Sequence, residues 1–522
     1  MKKVLIYILL LVPFVVLEAQ EKSDYSIDKL TWHNPGLKSQ NSAYLRMSES
    51  DLSKINSFTD AGIYFNYEEG KFKNIFDPES QITGGLDINS YSKLGKIYIY
   101  SRFAYDYSHL SNSRWRGLLN PYSTPFMMAD SIPGNASLEM YHMEMGLAFP
   151  LGEKFTIGTD IKYNAGMYAK KRDLHNKNTL MDFEIRPGIT YNSEIVNVGM
   201  NLGYIRGTEK IEYMQVDAST EKYLFDIYGM WMYSSLGFSS AENLRLREYD
   251  KYEGAVQFEL NLNDFKFFNN FTVLYSLDTQ TETGYNNLIH GDADQLTYNY
   301  NGTLQYGLKH RLSASYSASE LLGYRYLQRQ ELDPASNVKK WVTYDKMNCY
   351  VSTSADWNAD YTFRQAFSQL NISWAATIGA RSTKLKRAYK AYPQSFTQNF
   401  RYTEAYISFV KYLKMKNSEL ALTPEFSYGS GDGVALDIAL KDNTQNVLGD
   451  SNSVLLNEQL NEEFNYLIST KFSAGLNVRY TYKVKPSTGF NIYGDLSGKT
   501  FIPVGDEIGL RNFVRMTIGF TF

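Results

Sequence analysis

The chain has 522 residues, with 53 Lys and Arg against 56 Asp and Glu, for a formal net charge of −3. This balance gives no reason to expect nucleic acid as a partner, and a single cysteine, Cys349, excludes a disulfide framework and a cysteine-based metal site. The 43 Tyr and 30 Phe stand in a chain of negative mean hydropathy. No apolar run beyond residue 20 approaches the length of a membrane helix, so a helical membrane protein is excluded.

The first element in chain order is a secretory signal peptide over residues 1–20. Two lysines open it, Val4 to Leu17 form its apolar core, and "LEAQ" supplies small residues for cleavage near Ala19. A membrane anchor is the alternative, but the apolar run is short for the ~20 residues that a spanning helix needs. The sequence therefore predicts an exported protein.

Residues 21–60 show no strand-like alternation and are predicted to form a separate N-terminal segment on the periplasmic side. The stretch "HNPG" is a turn signal. If the strands that follow close into a barrel of ~18 strands, its lumen is aqueous. We therefore predict that the segment folds into this lumen as a plug built on Trp32, His33, Asn34 and Pro35. A flexible periplasmic tail is the alternative.

From residue 61 onward, apolar and polar residues alternate in one segment after another. The pattern is clear at residues 155–167, 252–262, 296–308 and 514–522. Successive side chains of a strand point to opposite faces. Each segment therefore predicts a strand with one apolar face and one polar face.

Three features favour a transmembrane barrel over a β-sandwich, whose strands also alternate. Many segments reach eleven to thirteen residues, which fits the ~9–11 of a tilted membrane strand better than the ~5–6 of a globular one. Short connections, as at 92–97 and 149–155, alternate with long ones, as at 109–136 and 209–251. This is the pattern of periplasmic turns and extracellular loops.

The third feature is the charge on the polar rows, which a dry sandwich core could not hold unpaired. A wet or cross-paired lumen could hold it. The predicted lumen-lining residues are Arg102, Asp106, His142, Glu144, Asp160, Lys162, Asp182, Glu184, Arg186, Glu253, Glu259, Arg479 and Arg515.

The segments predict an all-β fold: a single closed antiparallel transmembrane β-barrel of about eighteen strands, within a range of 16–20, over residues 61–522. An even count is what a bacterial single-chain barrel needs. The predicted strands are 61–69, 81–91, 96–108, 137–149, 154–168, 180–191, 195–208, 252–263, 265–278, 294–308, 310–322, 342–356, 367–381, 401–411, 418–428, 460–469, 473–483 and 511–522. Residues 489–496 are assigned to an outer loop.

The first long loop is the candidate for ligand binding outside the membrane. Trp115, Tyr122 and Phe126 stand beside Arg114 and Arg116, a combination that suits a sugar ring or an aromatic chelate. The alternative is a loop that folds over the barrel mouth and packs on itself.

No catalytic residue is predicted, although barrel enzymes exist. Asp106 and Ser108 share the inward face of one strand while His109 points away, and His142 with Glu144 lacks a nucleophile on its strand. Six scattered histidines make no metal motif, and no cofactor is expected.

The last segment, "RMTIGFTF", carries an apolar row that includes Phe520 and Phe522. It resembles the C-terminal signal that outer-membrane barrels present to the barrel-assembly machinery. Together with the leader, "NSAYLRMSESDLS", "RWRGLLNPYSTPF" and "LEMYHMEMGLAFPLGEKFTIGTDIKYNAGMYAKKRD", it resembles an uncharacterised family, a domain of unknown function, of Bacteroidota outer-membrane β-barrels.

That resemblance implies this fold and a place in the outer membrane of a Gram-negative bacterium, without an established activity. The stretch "HNPG" is also similar to the Asn-Pro-Ala-like motif of fatty-acid-transporter barrels. In those barrels the N-terminus forms a plug, but they have fewer strands.

Three functional hypotheses follow from the sequence. The first is a channel or accessory component for uptake of a small solute, the second a non-conducting scaffold or assembly partner, and the third a barrel lipase or protease. The expected partners are outer-membrane lipid, the barrel-assembly machinery and, by analogy alone, a TonB-dependent receptor or another envelope protein.

Overall fold

The first strand of the chain lies between the second strand and the last one. Ser57–Gly70 pairs with Ser80–Leu94 on one side and with Arg511–Thr521 on the other, which closes an antiparallel sheet of eighteen strands. The closing seam includes two hydrogen bonds between the backbones of Thr59 and Phe522, at 2.8 and 3.0 Å. A closed sheet leaves no unpaired edge to face lipid.

This computed structural model describes residues 32, 34–46, 57–217, 219, 222–237, 243–282, 288–335, 337–366, 372–390, 395–438, 453–485, 489–505 and 509–522. The predicted signal peptide and His33 lie outside the described residues. In chain order the strands are β1 (Ser57–Gly70), β2 (Ser80–Leu94), β3 (Ile97–Ser113), β4 (Phe126–Ala129), β5 (Gly134–Leu151), β6 (Phe155–Lys170), β7 (His175–Asn192), β8 (Val196–Met214), β9 (Tyr223–Tyr228), β10 (Met232–Gly237), β11 (Asn243–Leu262), β12 (Phe265–Glu282), β13 (Leu288–Tyr306), β14 (His310–Leu332), β15 (Lys339–Ala366), β16 (Ile372–Tyr389), β17 (Phe396–Lys414), β18 (Ser418–Ile438), β19 (Ser453–Leu455), β20 (Lys471–Lys485), β21 (Phe490–Pro503) and β22 (Arg511–Thr521).

The two faces of the barrel wall differ in the way that the alternation predicts. On β11, Val256 is 56% exposed while its neighbours Gln257 and Glu259 are 0% and 3% exposed. On β22, Met516 and Ile518 are likewise exposed on the outer face. Apolar rows therefore look outward and polar rows look inward. The predicted fold class, a closed barrel of about eighteen strands, is confirmed.

Two segments were assigned wrongly, and the two errors cancel in the strand count. Residues 460–469 were predicted as a strand, but 460–468 belong to the helix α1 (Asn457–Ile468) and Ser469 is its C-cap. Leu460 and Phe464 are both buried, and their spacing of four is the helical repeat rather than the strand repeat. No helix in the described part of the chain is long and apolar enough to cross a membrane.

Residues 489–496, expected in an outer loop, begin the barrel strand β21. Its outward row includes Ile492, Leu496 and Ile502, all exposed. Between them on the same face stand Gly494 and Gly498, which interrupt the apolar row and weaken the alternation. The strand is therefore harder to recognise from sequence than its neighbours.

The strands are unequal in length, so the rim of the barrel is stepped. β14 and β15 have 23 and 28 residues, whereas β21, β22 and β1 have 14, 11 and 14. Because a strand rises about 3.3 Å per residue, β15 extends far beyond the length needed to cross a membrane. Much of the loop predicted at 209–251, and of residues 323–341 between two predicted strands, is consequently strand.

Two parts of the chain lie inside the barrel. At the end with the long connections, β4, β9, β10 and β19 form a separate four-stranded sheet, here called the inserted sheet. At the end with the tight turns lie two short 3-10 helices, Pro35–Lys38 and Ser42–Leu45. These two inserts bound the interior from opposite ends.

Candidate functional site

The inner face of β5–β8, β11 and β12, here called the paired wall, holds charged side chains that neutralise one another. Arg186 donates to Glu253 through Nε and Nη2, at 3.0 and 3.2 Å, and also contacts Glu184. Lys162 Nζ lies 3.4 Å from Glu144 and 3.6 Å from Glu184. Lys162 on β6 draws its partners from the adjacent strands β5 and β7, where polar rows meet side by side, whereas Arg186 on β7 reaches past β8 to Glu253 on β11.

The same wall continues toward the long-loop end as a second network. Arg247 donates through Nε to Asp278 at 2.7 Å and lies 3.4 Å from Glu209. Tyr249 donates to Asp182 at 2.6 Å, and Asn164 links Asp182 to His142. Buried charge is tolerated here because each group has a partner of opposite sign or a hydrogen bond.

The two 3-10 helices of the N-terminal segment pack on this wall at the tight-turn end. The Asn41 side chain donates to the backbone oxygens of Ile189 and Met200, each at 3.3 Å, and to Gln257 Oε1 at 3.0 Å. Ser42 donates to Asp160 at 3.3 Å. The segment is thus bonded to β6, β7, β8 and β11 at once.

Glycines in the wall make room for this segment. A Cβ atom at Gly158 would lie 2.3 Å from the Ala43 amide nitrogen, and one at Gly188 would lie 2.3 Å from Asn41 Oδ1. Such distances are far inside van der Waals contact, so a side chain at either position would collide with the segment. Gly158 and Gly188 are register partners on adjacent strands.

Trp32 contacts a different part of the barrel wall, on β14 and β15. Its indole lies between the guanidinium groups of Arg311 and Arg364, each 3.9 Å from the ring centroid. Arg311 also donates to the Trp32 backbone oxygen. Of the other predicted plug residues, Asn34 donates to the Tyr44 backbone oxygen at 3.2 Å, and Pro35 is buried at the start of a 3-10 helix.

The inner face of β18, β20–β22, β1 and β2, here called the open wall, is wetter. Arg479 and Lys499 keep side-chain exposures of 35% and 37%, against 4% for Arg186 on the paired wall. A cavity of about 550 Å³ lies against the open wall. One side of the interior is therefore closely paired, and another side has free volume.

All thirteen predicted lumen-lining residues lie on inward rows. Nine of them belong to the paired wall: His142, Glu144, Asp160, Lys162, Asp182, Glu184, Arg186, Glu253 and Glu259. Arg479 pairs with Asp60 at 3.9 Å and Arg102 with Asp87 at 2.8 Å. Asp106 is half-buried on β3, and Arg515 lines the cavity.

The predicted loop residues are mostly engaged in packing. Trp115 and Phe126 are 3% and 0% exposed in the core formed by the inserted sheet. Arg114 pairs with Glu462 on α1 at 3.2 Å, and Arg116 donates to the Leu119 backbone oxygen. Only Tyr122 among the five is largely exposed. This arrangement corresponds to a loop that folds into the mouth and packs there.

The inserted sheet also carries a buried charge that sequence reasoning missed. Asp226 on β9 accepts from Arg245 at 3.1 Å and contacts His290. Burial by itself raises the pKa of Asp226, but His290 and Arg245 outweigh that effect and hold the pKa at about 2. The ion pair fixes the sheet to β11 and β13. Sequence gave no signal for it, because the three residues come from separate segments.

The serines and histidines considered for catalysis do not form a triad. Ser108 exchanges a 2.8 Å hydrogen bond with Thr83 and accepts from Gln81, and His142 is bonded to Asn164. His109 lies on the other face of β3 from Ser108. Among the described residues, no group of three His, Cys, Asp or Glu side chains is arranged to hold a metal ion.

Several solved structures match this chain at low similarity. The ferric preacinetobactin receptor BauA from Acinetobacter baumannii is 9% identical over 89% of this chain and 80% of that one, with a TM-score of 0.36. The FrpB iron transporter from Neisseria meningitidis is 9% identical over 91% and 83%, with a TM-score of 0.39. The RagAB peptide importer in its closed-closed state is 5% identical over 91% and 87%, also at 0.39. Likeness at this level says nothing about ligand or mechanism.

No curated protein matches the chain at a significant level. A family model does match, over residues 48–522, and that family is one of unknown function. The predicted resemblance to an uncharacterised family is thereby confirmed, whereas the Bacteroidota origin and the likeness to fatty-acid transporters stay predictions. The chain belongs to the family of unknown function DUF6850.

Proposed function

We propose that this protein is an outer-membrane barrel that passes a small polar solute along its open wall. The observation that carries the proposal is the contrast between the two walls. The paired wall is filled by ion pairs and by the N-terminal segment, while the open wall keeps exposed charges and a cavity of about 550 Å³. A barrel whose only role was structural would have no need for this difference.

We further propose that residues 34–46 act as a removable plug at the tight-turn end. Their contacts with the paired wall are noncovalent, with Asn41, Ser42 and Arg46 as the main hydrogen-bonding residues. Tyr44 adds an edge-to-face ring contact with Phe268 at 5.9 Å. Contacts of this kind hold a segment in place but allow it to leave as a unit when it is displaced.

Conductance in a planar bilayer tests both parts of the proposal. The purified barrel without residues 21–56 keeps all of β1 and should conduct more than the full mature chain. A chain locked by a disulfide provides the opposite change. The Ser42 Cβ lies 3.4 Å from the position of a Cβ at Gly146, close to the separation that a disulfide needs, so Ser42→Cys with Gly146→Cys should fix the plug.

The locked variant should conduct less when oxidised than when reduced. Its matched control is the single Ser42→Cys variant, which should be insensitive to reductant because the native Cys349 is buried. If conductance does not change between the oxidised and reduced double variants, residues 34–46 are not the plug. If neither the truncated nor the full chain conducts, transport is contradicted.

The second candidate is a non-conducting scaffold, favoured by the completeness of the paired wall. There, charged side chains of six strands are neutralised inside the barrel, as a filled lumen requires. The same bilayer experiment separates the two candidates, because a scaffold conducts in neither form.

We also propose that β22 is the strand recognised by the barrel-assembly machinery. The rings of Phe520 and Phe522 are stacked, with centroids 6.0 Å apart. Replacing both by Ala should lower the fraction of folded barrel in outer-membrane preparations. Phe472→Ala is the control, since this ring is also exposed on the outer face but lies on β20.

A further inference from the structure

The cavity of the open wall is crossed by one continuous row of polar residues. Neighbouring strands place them side by side in register: Thr83 beside Asn66, Asn66 beside Arg515, Arg515 beside Ser497, Ser497 beside Asn477, and Asn477 beside Thr423. All six line the cavity. Arg515, near the middle, is the only charged member of this polar row.

The other charged residues of the cavity already have counter-ions. Glu68 accepts from Arg511 Nε at 2.7 Å, and Glu425 lies 3.5 Å from Lys499. Among the described residues, no carboxylate lies within 4 Å of the Arg515 guanidinium. Its Nε makes a long 3.4 Å hydrogen bond to Thr517. The cavity thus has one cation whose charge is not neutralised by direct contact.

The Arg515 side chain packs against an aromatic ring, which fixes its position. Its guanidinium carbon lies 4.2 Å from the centroid of Tyr64, a ring that is itself 9% exposed. A guanidinium stacked in this way keeps its in-plane N–H groups available as donors. Beside it, the Asn66 Oδ1 is buried and has no hydrogen-bond partner, which is unusual for a buried polar atom.

We propose that this cavity binds a small polar solute bearing one carboxylate. This inference rests on the proposed function and names the class of solute that would use the open wall. Arg515 would receive the carboxylate, since a guanidinium and a carboxylate match in shape and can form two parallel hydrogen bonds. A hydroxyl or N–H group of the same solute would donate to Asn66 Oδ1. The volume lies within the ~300–1,000 Å³ of small-molecule sites.

Solutes of other charge fit the cavity less well. A cation would meet Arg515 and Lys499 without an unpaired carboxylate to receive it, because Glu68 and Glu425 are already engaged. A neutral solute could use the amides and hydroxyls of the row, but it would bring no charge into contact with the Arg515 guanidinium, which interacts with the Asp106 carboxylate of β3 only beyond ion-pairing distance.

Calorimetric titration of the full chain in detergent with glucuronate and with glucose tests this inference. The two probes share a ring and differ in a carboxylate against a hydroxymethyl group. We expect glucuronate to bind about tenfold more tightly or better, since hydrogen bonds to charged groups are stronger than neutral ones. In Arg515→Gln the preference should fall to near unity. Asn66→Ala should weaken both probes by a similar, smaller factor.

Arg102→Gln is the matched control, because Arg102 is another inward arginine but is paired with Asp87 outside the cavity. It should keep the preference for glucuronate. Equal affinities for the two probes, binding of neither, or a preference that survives Arg515→Gln would overturn the inference. The titration needs no conduction, so a barrel that binds glucuronate through Arg515 but never conducts would contradict only the transport proposal.

Discussion

Gly158 on β6 lies directly against Ala43, and a Cβ atom at residue 158 would stand 2.3 Å from the Ala43 amide nitrogen. Its register partner Gly188 leaves the same kind of space for the Asn41 side chain. The place where the N-terminal segment docks, here called its seat, therefore depends on the absence of side chains at these two glycines of adjacent strands.

Filling that seat should release the segment. We expect Gly158→Val to destabilise docking by about 1–3 kcal/mol, as overpacking does, and to speed tryptic cleavage after Lys38 or Arg46 about tenfold. Cleavage of a segment in rapid exchange follows its open population. The control is Gly84→Val on β2, where an added Cβ meets nothing within 4 Å. Equal cleavage rates in the two variants would contradict this account of the seat.

Trp32 should also help to hold the same segment in its docked position. Trp32→Ala removes a ring held between Arg311 and Arg364, and a desolvated cation–π contact contributes about 2 kcal/mol. The rate of thiol labelling at an introduced Ser42→Cys should then rise about tenfold. Trp357→Ala, which removes an exposed ring on β15, should leave labelling unchanged. Unchanged labelling in Trp32→Ala would show that docking does not depend on this ring.

The paired wall should be sensitive to the loss of a single cation. Arg186→Gln leaves Glu253 without its charged partner in a buried site, and leaves Glu184 dependent on Lys162; loss of one partner from a buried ion pair costs about 3–5 kcal/mol. Arg206→Gln breaks pairs with Glu248 and Asp250, but its side chain is 52% exposed, so about 1 kcal/mol or less is expected. The temperature at which the folded band disappears on a gel measures both. Similar shifts would contradict the distinction.

Acid should loosen the inserted sheet before it unfolds the barrel. The folded pKa of Asp226 is held at about 2 by His290 and Arg245, against the cost of its burial, while an unfolded Asp titrates near ~3.9. The ionised Asp226 carboxylate therefore stabilises the folded inserted sheet above pH ~4, and this stabilisation is lost as the pH falls toward 2.

Hydrogen exchange of the β9 amides between pH 5 and 2 measures this loss, after correction for the intrinsic rate. Protection should fall with pH in the native chain. In Asp226→Asn the acid-dependent part should be smaller, because the Asp226 carboxyl is gone. The same acid dependence in both proteins would exclude Asp226 as its source.

The barrel could be predicted from sequence because each strand carries its own signal. The alternation in β6, β11 and β22 needs no knowledge of neighbouring strands. The inserted sheet could not be predicted, since β4, β9 and β19 are strands of three to six residues contributed by three distant loops. Their pairing depends on how the barrel first brings those loops together.

The candidate site was predicted in part for a related reason. Charge on a polar row identified Arg515, but its neutral partners Asn66 and Asn477 have no feature that distinguishes them from other strand residues. The importance of Gly158 is likewise invisible in the sequence, since a glycine in a strand does not reveal what occupies the space beside it. Both facts depend on contacts between residues far apart in the chain.

The unequal strand lengths make the rim of the barrel higher on one side than on the other. β15 has 28 residues while β22 has 11, so the wall is tall at β15 and low at β20–β22, β1 and β2, which border most of the cavity. A molecule that diffuses along the membrane surface would be blocked by the tall part of the wall and could pass over the low part. We therefore expect a solute to enter over the low side of the rim, near β22, and not over β15.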